Sequence, residues 1–419
     1  MFKQLFKRAS RLSQLSSSPI CDHLETLAIS LKERRYANDT IRYYVTICEI
    51  FARWLAANSI SLSSLGESIV EKFANCPAES VGSVDKQWKV RAGSACRALL
   101  NHLREKGVIR ECSNESIEPD EVCRCLRAYE CYLRQVQGLA LNTGRRYGYF
   151  AKRLLRQNSK NGTIDWKKLN SKAIAEFVTS ESSNRRGNGI HHVATAVRSF
   201  VRFLISQNIL AASMAAAVPR AKRWVRCNIP HRLDENELIK LLKHSKKDLT
   251  PIGKRNHAIT LLLARLALRS GEIIKLAIDD LDWINGCIIV RASKHRDRKL
   301  PLTKEVADAL VDYLRNSRPA TQHREIFIAH TAPYLPLQKS PSITYIVKCL
   351  FAKAGIKNRS GGAHILRHTV ASLMVNSGVT FKDTADFLGH RYLQTTSIYA
   401  KLDLMTLSQV CMPWPGGES

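Results

Sequence analysis

Six polar side chains interrupt apolar stretches in the last third of the chain. They are Arg269 in "LALRSGEI", Lys294 in "RASKHRDRK", His364 and Arg367 in "HILRH", His390 in "FLGHR" and Tyr399 in "TTSIYAKLD". His364 and Arg367 are three apart, which places them on one face of a helix read from Gly361 to Met374. His390 follows Gly389, a helix stop, and Tyr399 lies nine residues further on. Singly, each has an ordinary explanation: a cap at a helix end for Arg269, a solvated lysine on a hairpin, a core tyrosine with its hydroxyl satisfied. Together they define a chemistry. Two guanidiniums, an ammonium and two imidazoles can enclose one phosphate, and a phenol can attack it. Arginine offers a planar donor fork that fits phosphate oxygens. Donors aimed at developing negative charge are usually the largest catalytic contribution. Arg367 sits among Ile365, Leu366 and Val370, where a guanidinium is expensive unless an anion meets it. The expected anion is a phosphate supplied by a partner.

Carboxylate clusters are missing around these residues; only Glu272 and Asp386 lie near them. A two-metal nuclease or polymerase needs several such ligands. The expectation is phosphoryl transfer without a metal, through a covalent tyrosyl intermediate. No Gly-rich phosphate loop offers a nucleotide site, and no cofactor is expected. A phenol ionises near pH ~10, so it needs a base or a cationic pocket to become nucleophilic. Cys112, Cys123, Cys125 and Cys131 fall close together but form no CxxC pair, so reduced thiols of a cytosolic protein are preferred over a zinc site.

The elements that must position these groups follow from the local pattern. In "LDENELIKLLKH", Asp234 caps an amphipathic helix, and "HAITLLLARLAL" reads as a buried one. The stretch "LDWINGCIIVRASKHRDRKLPLT" changes period. Asn285-Gly286 marks a turn, Cys287 to Val290 is apolar, and Lys299 to Leu302 alternates. This predicts a small antiparallel sheet with a charged hairpin tip from Ser293 to Arg298.

Upstream, the chain repeats itself. Thr40, Arg42 and Tyr44 match Thr143, Arg145 and Tyr147; Arg97, Leu99, Leu103 and Val108 match Arg198, Phe200, Leu204 and Ile209. Each Thr precedes an amphipathic run and can N-cap it. Two helical repeats of about a hundred residues are the natural reading. The expected organisation is a basic N-terminal arm over 1–18, a first repeat over 19–112, a second over 119–217, a basic linker over 218–233, a catalytic domain over 234–411 and a tail over 412–419. The arm reads as a DNA contact, with a transit peptide as the other possibility. Lys and Arg number 65 against 36 Asp and Glu, a net charge of +29 spread along the chain. That favours a long polyanion-binding surface, and no window approaches the length of a membrane span. Arg42, Thr143, Arg145 and Arg146, near the starts of the repeated helices, are candidates for phosphate contacts.

The boxes "ALRSGEI", "HILRHTVASLM", "FLGH" and "TTSIYAKLD" resemble those of the tyrosine recombinase, or phage-type integrase, family, and the tail resembles integrases of bacterial mobile elements. The resemblance spans Arg269 to Tyr399, and the second repeat resembles the family's core-binding domain. It implies a mainly α chain: two SAM-like DNA-binding repeats, then an α+β catalytic domain with a small antiparallel sheet. It implies a site-specific recombinase of double-stranded DNA that integrates or moves an element, acting as a synapsed tetramer in the bacterial cytoplasm at the nucleoid. By resemblance, Tyr399 forms a 3′-phosphotyrosyl link, while Arg269 and Arg367 bind the non-bridging oxygens. Lys294 protonates the 5′-oxygen, His364 is general acid/base, and His390 hydrogen-bonds the phosphate. Glu272 and His368 support them. The stretch from Lys294 to "LPL" is one residue shorter than the usual hairpin, which leaves Lys299 as the alternative acid. A type IB-like topoisomerase and an inactive DNA-binding accessory protein are the competing readings.

Overall fold

The computed structural model describes residues 1–76, 88–109, 120–160, 162–183, 185, 188–219, 231–291, 297–356, 362–390, 392, 395–396 and 398–399. The chain divides into two compact units: Met1–Leu103 together with Asn228–Ser419, and Arg104–Cys227.

Two short helices, α1 (Phe2–Leu5) and α2 (Ala9–Ser16), open the first unit. They bury Phe2, Leu5 and Leu15, so the N-terminal segment is helical and docked through its apolar side chains. Arg11 of α2 and Arg53 both pair with the buried Glu49. Four helices follow: α3 (Cys21–Glu33), α4 (Asn38–Ala57), α5 (Glu67–Ala74) and α6 (Trp88–Glu105). Phe73 of α5 packs on Phe51 of α4 at 4.8 Å and on Trp88 of α6 at 5.8 Å between ring centroids.

The second unit has the same helix order in α7 (Glu121–Gln135), α8 (Leu141–Gln157), α9 (Ser171–Ser183) and α10 (Asn188–Ser206). A two-stranded hairpin, β1 (Ser159–Lys160) and β2 (Thr163–Ile164), follows α8 and carried no clear signal in the sequence. Matched positions behave alike: Leu99 and Leu103 of one copy, and Phe200 and Leu204 of the other, are all fully buried. The capping expectation fails in both copies. Thr40 and Thr143 are each the third residue of their helix, and the N-cap positions are Ala37 and Ala140. The helices start one turn earlier, with no side-chain cap at either alanine.

The C-terminal part of the first unit is built around α12 (Pro251–Arg265). Its preceding helix, α11 (Glu235–Lys247), carries the expected cap. The Asp234 carboxylate accepts from the Glu237 N–H at 2.7 Å, and the Glu237 carboxylate accepts from the Asp234 N–H at 3.1 Å. Pro251 occupies the first turn of α12, where a missing N–H does no harm, and Thr250 caps it. Residues Ala258 to Ala264 are all buried, because α11, α14 (Lys304–Asn316) and α16 (Ala363–Asn376) pack around this helix. A one-turn helix, α13 (Ser270–Ile273), leads to the antiparallel sheet β3 (Leu281–Asp282), β4 (Cys287–Val290) and β5 (Arg298–Pro301). The Asn285-Gly286 turn joins β3 to β4, with Gly286 at φ +60°. Arg298 is in β5, opposite Val290, rather than on the hairpin tip. Helices α15 (Ser340–Lys353) and α17 (Phe381–Leu388) complete this part.

Candidate active site

Arg269 is not at a helix C-terminus. Helix α12 stops at Arg265, the chain turns through Ala267 at φ +51°, and Arg269 becomes the N-cap of α13. A non-glycine residue in this left-handed region carries about 1–2 kcal/mol of strain. Ala267 is fully buried, and its carbonyl accepts from Arg367. The Arg269 N–H donates to Glu272 Oε2 at 2.8 Å. Its Nη1 donates to Glu272 Oε1 at 2.8 Å and its Nη2 to the Gly389 carbonyl at 3.0 Å.

Glu272 has a second partner. Arg298 Nη1 and Nη2 donate to its two oxygens at 3.1 and 2.9 Å. Burial pushes the Glu272 carboxyl up, but hydrogen bonds and charge from Arg298, together with the bonds from Arg269, outweigh it and hold the group below its ordinary value. One carboxylate thus fixes two guanidiniums. Arg298 was missed in the sequence because it was assigned to a solvated tip; the signal was the alternation of "RKLP" with its neighbours, which puts Arg298 and Leu300 on one sheet face and Lys299 on the other. Lys299 is exposed. Lys294 lies outside the described residues.

His364, Arg367 and His368 all belong to α16, which runs from Ala363 to Asn376 and is shifted two residues from the expected span. Gly362 precedes it at φ +54° with Thr344 against its α-carbon, a place no side chain could occupy. Arg367 is 3 % exposed. Against expectation, its guanidinium is satisfied inside the protein without an external anion. Nη1 donates to the Ala267 carbonyl and Nη2 to the Leu388 carbonyl, each at 2.5 Å. These carbonyls lie just past the end of α12 and at the end of α17, where helix C-termini present unpaired, partly negative oxygens. Burial lowers the Arg367 pKa, and the nearby Arg269 charge adds to the effect.

Tyr399 is 1 % exposed and packs with Ala267, Val370, Ala371, Val375 and Leu388. Its hydroxyl lies 2.7 Å from His368 Nδ1. Burial raises the phenol to about 12, although Arg367 and Arg269 pull it down. His390 follows Gly389, which ends α17 in the left-handed conformation. Its Nδ1 lies 2.7 Å from the Thr396 hydroxyl, a buried partner the motif reading passed over. Burial, then the charges of Arg367, Arg269 and Arg298, lower His390 to about 4. His364 reaches solvent, and partial desolvation together with the charges of Arg367 and Arg269 lowers it too. Its ring centroid is 6.2 Å from that of His368.

Arg269, Arg367, His390, His368, Glu272 and Tyr399 are therefore linked through the ends of α12 and α17. The DNA-contact candidates are on α4 and α8. Arg42, Arg145 and Arg146 are exposed and Thr143 half-buried, and Arg42 pairs with Asp39. Among the described residues, no group of His, Cys, Asp or Glu has the arrangement of a metal site, and Cys112 is not among them. No described helix is long and apolar enough to cross a membrane.

Residues 231–404, which contain every group of this site, match the profile described as the phage integrase family. Over 407 residues, the chain is 32 % identical to y4rA of Sinorhizobium fredii, named there as an integrase/recombinase, covering 97 % of both chains. The chain belongs to the phage integrase family. A second relative within it, the tyrosine recombinase XerA of Thermococcus kodakarensis, is 28 % identical over 68 % of this chain and 92 % of its own. Among solved structures, the integrase fold is shared with the XerH site-specific recombinase bound to its difH substrate in a pre-cleavage complex. That match has a TM-score of 0.51 and 19 % identity, over 74 % of this chain and 92 % of that one. It is also shared with a lambda integrase dimer bound to a core site, with a TM-score of 0.51 and 17 % identity, over 65 % and 96 %.

Proposed function

We propose that this integrase-family chain is a site-specific recombinase that cuts and rejoins double-stranded DNA and thereby integrates or moves a genetic element. The observation that carries the reading is the buried phenol of Tyr399 lying within the field of Arg367 and Arg269, on the part of the chain that the family profile matches. In the proposed reaction the Tyr399 oxygen attacks the scissile phosphorus. A phosphotyrosyl bond forms at the 3′ end and the bond to the 5′-oxygen breaks. Arg269 and Arg367 hold the non-bridging oxygens as negative charge grows, and their carbonyl and carboxylate partners fix their direction beforehand. His390, kept neutral, donates one hydrogen bond from its remaining ring nitrogen, while Thr396 holds the other. Lys294 supplies the proton to the leaving 5′-oxygen; Lys299, exposed on the opposite face of β5 from Arg298, is the less suitable donor. His364 is assigned to acid–base work at the open edge. The bond energy stays in the phosphotyrosine, so rejoining needs no nucleotide.

Duplex DNA is the partner, engaged by the basic helical repeats through phosphates, in a synapsed tetramer on bacterial chromosomal DNA. The proposed domains are those expected from the sequence, with catalysis confined to 234–411. The test is covalent capture. Tagged protein is denatured in its host cells and recovered under stringent washing, and the DNA joined to it is sequenced. Reproducible junctions with wild type and none with Tyr399→Phe, which still binds DNA, are expected. Capture of no DNA by wild-type protein rejects the reading. Relaxation of supercoils without strand exchange between two captured sites would move it to the topoisomerase class.

A further inference from the structure

We infer that His368 is a catalytic residue, the base that takes the proton from Tyr399 as the phenol attacks. The inference rests on the recombinase reading above and changes one step of it: the nucleophile's proton, which by resemblance falls to His364, goes to His368.

The phenol is enclosed. Its ring is surrounded by Ala267, Val370, Ala371, Val375 and Leu388, and only 1 % of the residue meets solvent. Bulk water therefore has no access that would make it the proton acceptor in this arrangement. Among the described residues, the hydrogen-bond partner of the hydroxyl is His368 Nδ1 at 2.7 Å. That distance is within the range needed for direct proton transfer. Arg367 and Arg269 favour the phenolate by their charge but carry no site to receive a proton. His364 is exposed, whereas the ring centroids of His368 and Tyr399 are 5.7 Å apart and the hydroxyl is hydrogen-bonded to His368.

The register of α16 explains why one residue can do this. Arg367 and His368 are adjacent, about 100° apart around the helix, so Arg367 turns to the carbonyls of Ala267 and Leu388 while His368 turns to the phenol. Ser372, one turn on, donates its hydroxyl to the His368 carbonyl at 2.7 Å.

The step balances. For His368 to accept, its proton must reside on Nε2, leaving the Nδ1 lone pair toward the phenol. The Tyr399 O–H bond breaks as the O–P bond forms, and Nδ1 becomes N–H. The P–O5′ bond breaks and the 5′-oxygen takes its proton from the separate acid. On rejoining, the 5′-hydroxyl gives that proton back to the acid, and His368 returns its own to the departing phenolate. No proton is consumed over one cycle of cleavage and resealing.

The experiment uses the full chain and nicked suicide duplexes carrying the captured sequence, in two forms: a normal scissile phosphate, and one whose 5′-bridging oxygen is replaced by sulfur. A thiolate leaves without protonation, so the sulfur substrate rescues loss of a general acid but not loss of a base. Wild type forming adduct on the normal duplex establishes the recombinase chemistry independently, and its failure there would count against that reading rather than against His368. His368→Gln keeps a hydrogen-bonding group but cannot take the proton. Its adduct formation should fall about 10²–10⁴-fold on both substrates. Near-wild-type rates with His368→Gln would overturn the inference in favour of a positioning hydrogen bond, and rescue by sulfur would overturn it in favour of a leaving-group acid. A measurement on unsubstituted His368 guards against a misfolded variant. In ¹⁵N-histidine-labelled protein, the imidazole whose signals change in Tyr399→Phe should be protonated at Nε2. Protonation at Nδ1 alone would sink the proposal.

Discussion

Arg298 and His390 show how much of the site depends on side chains around the nucleophile. Glu272 is held between Arg269 and Arg298, so removing Arg298 leaves a half-neutralised carboxylate in a largely buried place. Arg298→Met is expected to destabilise the protein by about 1–3 kcal/mol, the range for a lost charged hydrogen bond, and to slow covalent adduct formation because Arg269 loses its fixed direction. Urea denaturation and the suicide-duplex assay check the two effects; unchanged stability with normal adduct would show that Arg269 alone secures Glu272. His390 makes a prediction about pH. Its folded value of about 4 lies below the ordinary histidine value of 6.5. As pH falls from 6.5 to 4, the unfolded chain binds a proton that the native site refuses, so acidification through this window favours unfolding, by at most about 1.4 kcal/mol per pH unit. Stability measured by denaturant at pH 6.5, 5.5 and 4.5 should fall more steeply in wild type than in His390→Asn. Parallel curves would contradict the assigned shift. The residues named from sequence were those whose type alone suggests phosphate chemistry. Arg298 was legible only through the alternation of its strand, whereas the carbonyls of Ala267 and Leu388 were not legible, because their part depends on where two helices end.

Those helix ends are the element that makes the site. Helix α12 stops at Arg265, two residues before the strained Ala267, and α17 stops at Gly389; the carbonyls of Ala267 and Leu388 both receive Arg367. The glycine stop, the Asp234 cap and the Asn285-Gly286 turn could be read from sequence because each is a local signal with a local cause. The starts of α4 and α8 could not, since no side chain caps them and the threonines lie inside. Gly389 also leaves room: a Cβ there would collide with the Arg298 guanidinium. Gly378, after α16, provides a control, because it too has positive φ, +80°, but has nothing within 4 Å of a Cβ. Gly378→Ala should cost only the backbone strain, about 1 kcal/mol. Gly389→Ala should cost that plus the displacement of Arg298, and it should impair adduct formation where Gly378→Ala does not. Thermal denaturation and the adduct assay on the pair decide; equal effects of both substitutions would mean that Arg298 moves aside freely.

At the scale of the whole molecule, the net charge of +29 and the duplicated helix order point to a chain that meets DNA over a long surface. The repeat was legible because matched positions share burial: Leu99 with Phe200, Leu103 with Leu204. Charge alone did not distinguish the exposed arginines, and the structure separates them. Arg42 forms an ion pair with Asp39 on its own helix, while Arg145 and Arg146 stand exposed on α8. A surface pair of this kind is weak, yet in the free protein it already partly neutralises Arg42, so fewer DNA counterions are released through it. Each unpaired arginine that neutralises one phosphate contributes about 0.9 to the slope of log K against log salt. On a random 30-base-pair duplex, Arg145→Gln with Arg146→Gln should therefore lower the magnitude of that slope by about 2, and Arg42→Gln by less than 1. Fluorescence anisotropy titrations at four KCl concentrations measure it. A slope unchanged by the double substitution would place the DNA on another face of the second unit. A fall of about 1 for Arg42→Gln would mean that its pair with Asp39 opens when phosphate is offered, and that both copies of the repeat present their matched arginine to the duplex.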